Sequence, residues 1–414
     1  MLPDQNETSM TSITLIHYAA PPIVGGVETI LGHHARLMAD AGHEVRILCG
    51  RGEQFDARVP VLVHPLIDSI HPDILACKAE LDDGRRPPQF DQLVASISDV
   101  LASAVAGARV LIPHNVCSLH KNLPLTAAIW KLREQNHALR VILWHHDLAW
   151  AMPRYLPELH PGHPWDLLRR AMPGAIQVAV SDQRQEELAE LLGLPRESIA
   201  VVPNGIETAQ FLKLEQETRT IVQQLQLLDA LPLLLLPVRI TPRKNIELAL
   251  RTLAELRRRY PKARLVVTGP LGPHNPANLV YMEQLRSLRS SLGLENAAHF
   301  LAELTPAYIP DEVISDLYAL ADALFLPSTE EGFGIPVLEA GLSRLPVICS
   351  DIPSLRNLAG PHATYFRLEA QPHAVAEMIH ERLQRSPAFG LHSTVKTSFT
   401  WERVYSEKIA PLLR

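Results

Sequence analysis

Four cysteines in 414 residues, Cys49, Cys77, Cys117 and Cys349, are too few and too scattered for a disulfide framework or a CxxC metal site. They read as reduced thiols packed as small apolar groups in a cytoplasmic protein. A basic excess is also missing: 39 Lys and Arg stand against 45 Asp and Glu, which speaks against nucleic acid as a partner. No stretch approaches 18 uninterrupted apolar residues. The densest, LLDALPLLLLPV at 227–238, is short and broken by prolines, so membrane contact is expected to be peripheral at most. The polar start MLPDQNETSM lacks the basic-then-apolar pattern of a signal peptide. The GxGxxG spacing of a dinucleotide-binding turn is absent after the first strand, which weighs against a nicotinamide cofactor.

What is present is a regular alternation of short apolar runs and helical patterns. SITLIHYA, EVRILC, PVLVHPL, ARVLIPH, RVILWHH, IQVAVS and IAVVP read as strands, with helices such as FDQLVASISDVLASAVA and DQRQEELAELLG between them. Strands of this kind suit a parallel sheet buried on both faces, and the alternation predicts a doubly wound α/β domain over 1–212. A second series over 213–395 begins with LPLLLLPV and runs through RLVVTG, HFLA, ALFLPS and PVICSD, with crossover helices. Residues 396–414 read as a closing amphipathic helix packing back towards the first domain. The expected fold is α/β, two Rossmann-like domains facing each other across a deep cleft that would take the ligand.

The run PSTEEGFGIPVLEAGLSRLPVICSD (327–351) holds Glu330, Glu331 and Glu339 between apolar stretches. Were the span from Glu331 to Glu339 helical, the two would lie roughly 12 Å and about 80° apart. Paired hydrolytic carboxylates need about 5–9.5 Å. They are therefore not an acid/base pair and should touch different parts of one ligand. The glycine turn before the helix leaves N–H groups free for a phosphate; two solvated glutamates on a plain strand-turn-helix would read the same way. In PVRITPRKNIE (237–247), Arg239 and Lys244 follow a strand and can converge on a pyrophosphate, or simply be solvated like neighbouring Arg243. GGVET (25–29) is a glycine turn suited to close approach of a phosphate or sugar. In WHHDLAW, His145, His146 and Asp147 form a polar wall at a strand end, with no third metal ligand.

Five stretches in this order, GGVE, HHD, VVPNGIE, Arg239 with Lys244, and EGFGIPVLE, span nearly the whole chain. Together they resemble retaining glycosyltransferase family four, of GT-B fold. The resemblance implies transfer of a sugar from a nucleotide-diphosphate sugar (UDP-, GDP- or ADP-linked) to a sugar, polyol or lipid-linked acceptor, without a metal or other cofactor. It places Arg239 and Lys244 on the donor phosphates, Glu339 on the nucleotide ribose and Glu331 by the donor sugar. The backbone of Phe333, Gly334 and Ile335 would hold sugar hydroxyls and phosphate, and Gly25 and Gly26 would approach the phosphates. His146 would point at the reacting sugar, with His145 able to trade places. The catalytic set so implied is His146, Glu331, Arg239 and Lys244.

Three other readings stay open: a GT-B retaining phosphorylase, a non-hydrolysing sugar epimerase, and a non-catalytic nucleotide-sugar sensor. A sensor would keep Glu339 but not the full set of Arg239, Lys244 and His146. The loops LHKNLP (119–124) and MPRYLPELHPGHPWDLL (152–168) carry Tyr155, His160, His163 and Trp165, read as pins of a proline-stiffened loop rather than a sugar platform. Arg257, Arg258 and Arg259 read as a solvated helix face.

Overall fold

A computed structural model describes residues 10–270, 277–305 and 309–414; residues 1–9 of the polar start lie outside the described residues. The chain divides into two compact units, Met1–Gly205 with Phe399–Arg414, and Ile206–Ser398. Among the described residues no helix is long and apolar enough to cross a membrane. All four cysteines are free and buried.

The first unit is built on seven strands: β1 (Ser12–Ile16), β2 (Glu44–Cys49), β3 (Val61–Val63), β4 (Val110–Pro113), β5 (Arg140–His145), β6 (Ile176–Ala179) and β7 (Ile199–Val201). They pair in the order β3-β2-β1-β4-β5-β6-β7, each neighbouring pair parallel. Strand alternation splits the apolar residues between two faces. Ile13, Leu15, Ile47, Ile112, Ile142 and Trp144 face one layer with Leu31, Ala35 and Met38 of the helix Gly26–Asp40. Ile16, Leu48, Leu111, Val141 and Leu143 face the other, against the helices Gln89–Ala104 and Leu123–Gln135. The C-terminal segment completes the first layer. Trp401, Val404, Ile409 and Leu413 are buried in it, and Trp401 stacks on His33 at 4.9 Å.

The second unit carries β8 (Leu233–Leu236), β9 (Arg264–Val267), β10 (Ala298–Phe300), β11 (Ala323–Leu326), β12 (Val347–Ser350) and β13 (Ala363–Phe366), in the order β10-β9-β8-β11-β12-β13, all parallel. LLLL in β8 and ALFL in β11 are buried along their whole length, as central parallel strands require. The order reverses between β1 and β4 in the first unit and between β8 and β11 in the second. In open α/β sheets ligands bind beyond the carboxyl ends of strands at such reversals. The segments that leave β1, β5, β8 and β11 carry motifs that the sequence singles out.

Candidate functional site

In the second unit, the segment after β8 and the segment after β11 are bonded to each other. Thr329 donates from both its amide and its hydroxyl to the carbonyl of Arg243, at 2.9 and 3.2 Å. Arg243 Nη1 donates to the carbonyl of Glu330 at 3.3 Å. Within this frame Lys244 Nζ lies 2.5 Å from Glu331 Oε1, and both side chains are 9% exposed. Ser328 Oγ donates to the same Glu331 oxygen at 2.8 Å. An ion pair withdrawn from water this far depends on its added hydrogen bonds to offset desolvation, and Ser328 supplies one.

Arg239 differs from Lys244. It is exposed and makes no hydrogen bond or ion pair among the described residues. Its backbone is fixed by Gly269, which follows β9: a Cβ there would sit 2.1 Å from the carbonyl oxygen of Val238 and 2.6 Å from Cα of Arg239. Ile240 N donates to the carbonyl of Pro270 across the same approach. Gly269 is not among the residues the sequence reading singles out, although a glycine two residues past a strand is a sign of close backbone contact.

The turn before the helix Ile335–Leu342 is set by Gly334, whose φ of 100° lies in the left-handed region that a side chain disfavours. Val337 N closes on the carbonyl of Gly334, while no bond from the N–H groups of Phe333, Gly334 or Ile335 to a described group is seen. Those free donors, at the positive end of a helix, are what an anion or a hydroxyl row can fill. Pro336 takes the first turn, where its missing N–H costs nothing. Glu339, half-buried one turn further in, accepts a hydrogen bond from the hydroxyl of Tyr318 at 2.6 Å. Burial, then the Glu339 carboxylate, pushes the Tyr318 phenol well above its ordinary range, so it stays a donor. Glu331 and Glu339 thus have separate partners and share none. Glu330 is exposed.

The first unit holds a histidine cluster at its own strand reversal. His17 follows β1, His114 follows β4, and His145 and His146 straddle the end of β5. Successive strand residues point to opposite faces, which separates the histidine doublet. His145 Nε2 bonds Gln177 Oε1 of β6 at 2.8 Å. His146 Nε2 instead meets His114 Nδ1 at 3.1 Å. His146, not His145, is the member facing the cluster. Burial, followed by the fields of His17 and His145, holds His146 down to about 3. His34 is likewise at about 3 and His145 at about 4, burial being the first cause in each. All three are neutral at physiological pH.

His17 Nδ1 donates to the carbonyl of His114 at 2.8 Å, leaving its Nε2 3.7 Å from Oε1 of Glu28. Glu28 lies in the first turn of the helix Gly26–Asp40, and its carboxylate folds back over Gly25. A Cβ at Gly25 would stand 2.1 Å from Glu28 Oε2, so a side chain there would turn this carboxylate aside. The nearby His17 ring is the first cause of a carboxyl held below its usual range. Gly26 is in open space. Glu28, His17, His114 and Asn115 are not read as site residues from the sequence, although Glu28 stands within the GGVE stretch.

The proline-rich loop is pinned. Trp165 is buried, His160 Nε2 donates to the carbonyl of Asp82, and His163 sits edge-on to Phe90 at 5.7 Å. Tyr155 packs edge-on to His120. Among the described residues, Asp82, His120 and Glu158 are a group that could hold a metal, but Lys78 already bridges its two carboxylates at 2.5 and 2.9 Å. Its ammonium supplies the positive charge a cation would bring.

Residues 24–210 match the family model described as Glycosyltransferase Family 4, and residues 217–388 match the one described as Glycosyl transferases group 1. A stretch of 75 residues is 45% identical to the serotype-specific mannosyltransferase WbdA of Escherichia coli, covering 18% of this chain and 9% of that one. The D-inositol 3-phosphate glycosyltransferase of Nocardia farcinica is 30% identical over 190 residues, 45% of this chain and 40% of that one. The O-antigen chain mannosyltransferase B of Escherichia coli is 27% identical over 283 residues, 65% and 69% of the two chains. The chain thus spans between 9% and 40% of the length of the first curated relatives it matches.

Proposed function

Because the chain belongs to the group 1 glycosyltransferases of family four, we propose that it moves a sugar from a nucleotide-diphosphate sugar to an acceptor hydroxyl with retention of configuration. The observation that carries this reading is the pairing of the segments after β8 and β11, which gathers Lys244, Glu331 and the free N–H groups before Ile335 at one strand reversal. Arg239 leaves β8 beside them, its guanidinium exposed and without a partner among the described residues.

In a same-face displacement the acceptor oxygen forms its bond to the anomeric carbon as the bond to the diphosphate oxygen breaks. The acceptor's proton passes to the departing phosphate, so no protein nucleophile is needed. Negative charge grows on the diphosphate, and fixed cationic donors stabilise it most where they need no reorganisation. Lys244, held in place by Glu331, and Arg239 are assigned that role, with the N–H groups of Phe333, Gly334 and Ile335 beside them. Glu339 is assigned to the ribose, and Gly25 and Gly26 to the approach of the phosphates. With this charge supplied by the chain, we infer that no metal is required. The acceptor is a sugar, a polyol or a lipid-linked sugar, and the four buried thiols support a reducing, cytoplasmic setting.

A thermal-shift screen against UDP, GDP and ADP, followed by mass spectrometry of products with the matching nucleotide sugars, tests the reading. Stabilisation by one nucleotide and a mass gain on an acceptor are expected. Stabilisation by no nucleotide, with release of a sugar phosphate instead, would replace transfer by phosphorolysis. A nucleotide shift without turnover would leave a sensor.

A further inference from the structure

His146 uses one ring nitrogen for its only side-chain hydrogen bond. Its Nε2 meets Nδ1 of His114 at 3.1 Å, and its Nδ1 bonds no described group. Its backbone is clamped from the same turn. Asn115, at φ 58°, accepts the amide N–H groups of His146 and Asp147 on its Oδ1, at 2.7 and 3.0 Å, and its Nδ2 donates to Asp147 Oδ2. The His114 ring is wholly buried, stacked on Trp144 at 5.4 Å and tilted against His34 at 5.3 Å. That packing gives its second nitrogen, Nε2, no hydrogen-bond partner among the described residues.

Two neutral imidazoles joined through one nitrogen each must supply one donor and one acceptor. Were His114 the acceptor, its proton would sit on Nε2, a buried N–H with nothing to receive it. Orphaned buried N–H groups are rarer than under-satisfied buried acceptors and carry the full cost of desolvating the donor. With the proton on Nδ1, His114 leaves only a bare nitrogen in the apolar pocket and donates to His146. His146 Nε2 is then the acceptor, and its own proton must be on Nδ1. We propose that His114 is a positioning residue that fixes His146 as the Nδ1–H tautomer, so that His146 offers a substrate oxygen a hydrogen-bond donor and not a base. The inference rests on the reading that His146 touches the reacting sugar, but the tautomer stands apart from it.

The test is nitrogen NMR of the full chain labelled with 15N-histidine, the His146 signals being identified by their loss in His146→Gln. The wild-type spectrum should show protonated Nδ1 and unprotonated Nε2 at His146; the opposite pattern overturns the proposal. His114→Phe, which keeps a ring against Trp144, should abolish this preference, and His114→Asn, whose amide reaches the place of Nδ1, should restore it. A His146 spectrum indifferent to His114→Phe also overturns the proposal. Turnover should fall roughly threefold to tenfold in His114→Phe, the loss of one hydrogen bond, and recover in His114→Asn. A changed tautomer with unchanged turnover would instead remove His146 from the reaction and leave the tautomer assignment in place. The wild-type spectrum decides the assignment whether or not the Phe variant folds.

Discussion

Lys244 and Glu331 stand 2.5 Å apart between Nζ and Oε1, each almost sealed from water. Removing either partner strands the other's charge in the interior, at about 3–5 kcal/mol. Lys244→Ala should therefore abolish transfer and also lower the unfolding free energy by an amount of that order. Adding Glu331→Gln to it should recover much of the stability and none of the activity. Urea denaturation of the two variants measures this, and equal stability of wild type and Lys244→Ala would contradict a charged buried pair.

Arg239→Ala offers the contrast. This guanidinium is exposed and, among the described residues, unpaired, so its loss should change stability by no more than about 0.5 kcal/mol. Turnover should still fall by a factor of hundreds, the scale of one preorganised donor on developing charge. Near-normal kcat/KM in this variant would remove Arg239 from the phosphate site.

Glu339 and Tyr318 should act on donor affinity. Tyr318→Phe takes away the hydroxyl that holds Glu339 Oε2, and Glu339→Ala takes away the carboxylate. Both should raise the KM of the nucleotide sugar with smaller effects on kcat, Glu339→Ala the more strongly. An unchanged donor KM in Glu339→Ala would exclude the ribose role.

The buried histidines give the fold an acid limit. His34 and His146 titrate at about 3 and His145 at about 4 in the native state, against about 6.5 when unfolded. Between those values the unfolded chain binds protons that the native chain cannot, so stability falls as pH falls below 6.5. Each histidine contributes about 1.4 kcal/mol per pH unit, fully developed by pH 5 to 6. Unfolding free energies at pH 7.5, 6 and 5 should drop with that slope, above the range where carboxylates titrate. His34→Leu should lower the slope by one histidine's share; a slope unaffected by it would show His34 able to ionise in place.

Strands were readable because their composition is severe: LLLL, ALFL and RVILWH leave little besides a buried parallel strand. The helix Leu123–Gln135 left no such mark. It is buried around most of its surface, so no polar face sets a 3.6-residue period. The glycine turn, the two glutamates and the basic pair were visible as motifs, yet the contact of Lys244 with Glu331 joins segments 87 residues apart and belongs to sheet topology. The choice between His145 and His146 follows from where β5 ends, the least legible property of a strand. His114 carried no motif and acquires meaning only from the ring beside it.

Trp401 lies in the core of the unit that the chain leaves at Gly205, and a Cβ at Gly205 would itself collide with the Trp401 ring at 2.5 Å. The second unit is thus a contiguous insert, whereas the first is written in two pieces separated by 193 residues, from 206 to 398. During synthesis the insert is available whole before the first unit has received its last layer. Until residues 401–413 arrive, the apolar side of the helix Gly26–Asp40 and of β1 and β5 has no complete cover. A chain broken off after Ser398 would keep every motif residue intact around an open core, a substrate for chaperones and proteases.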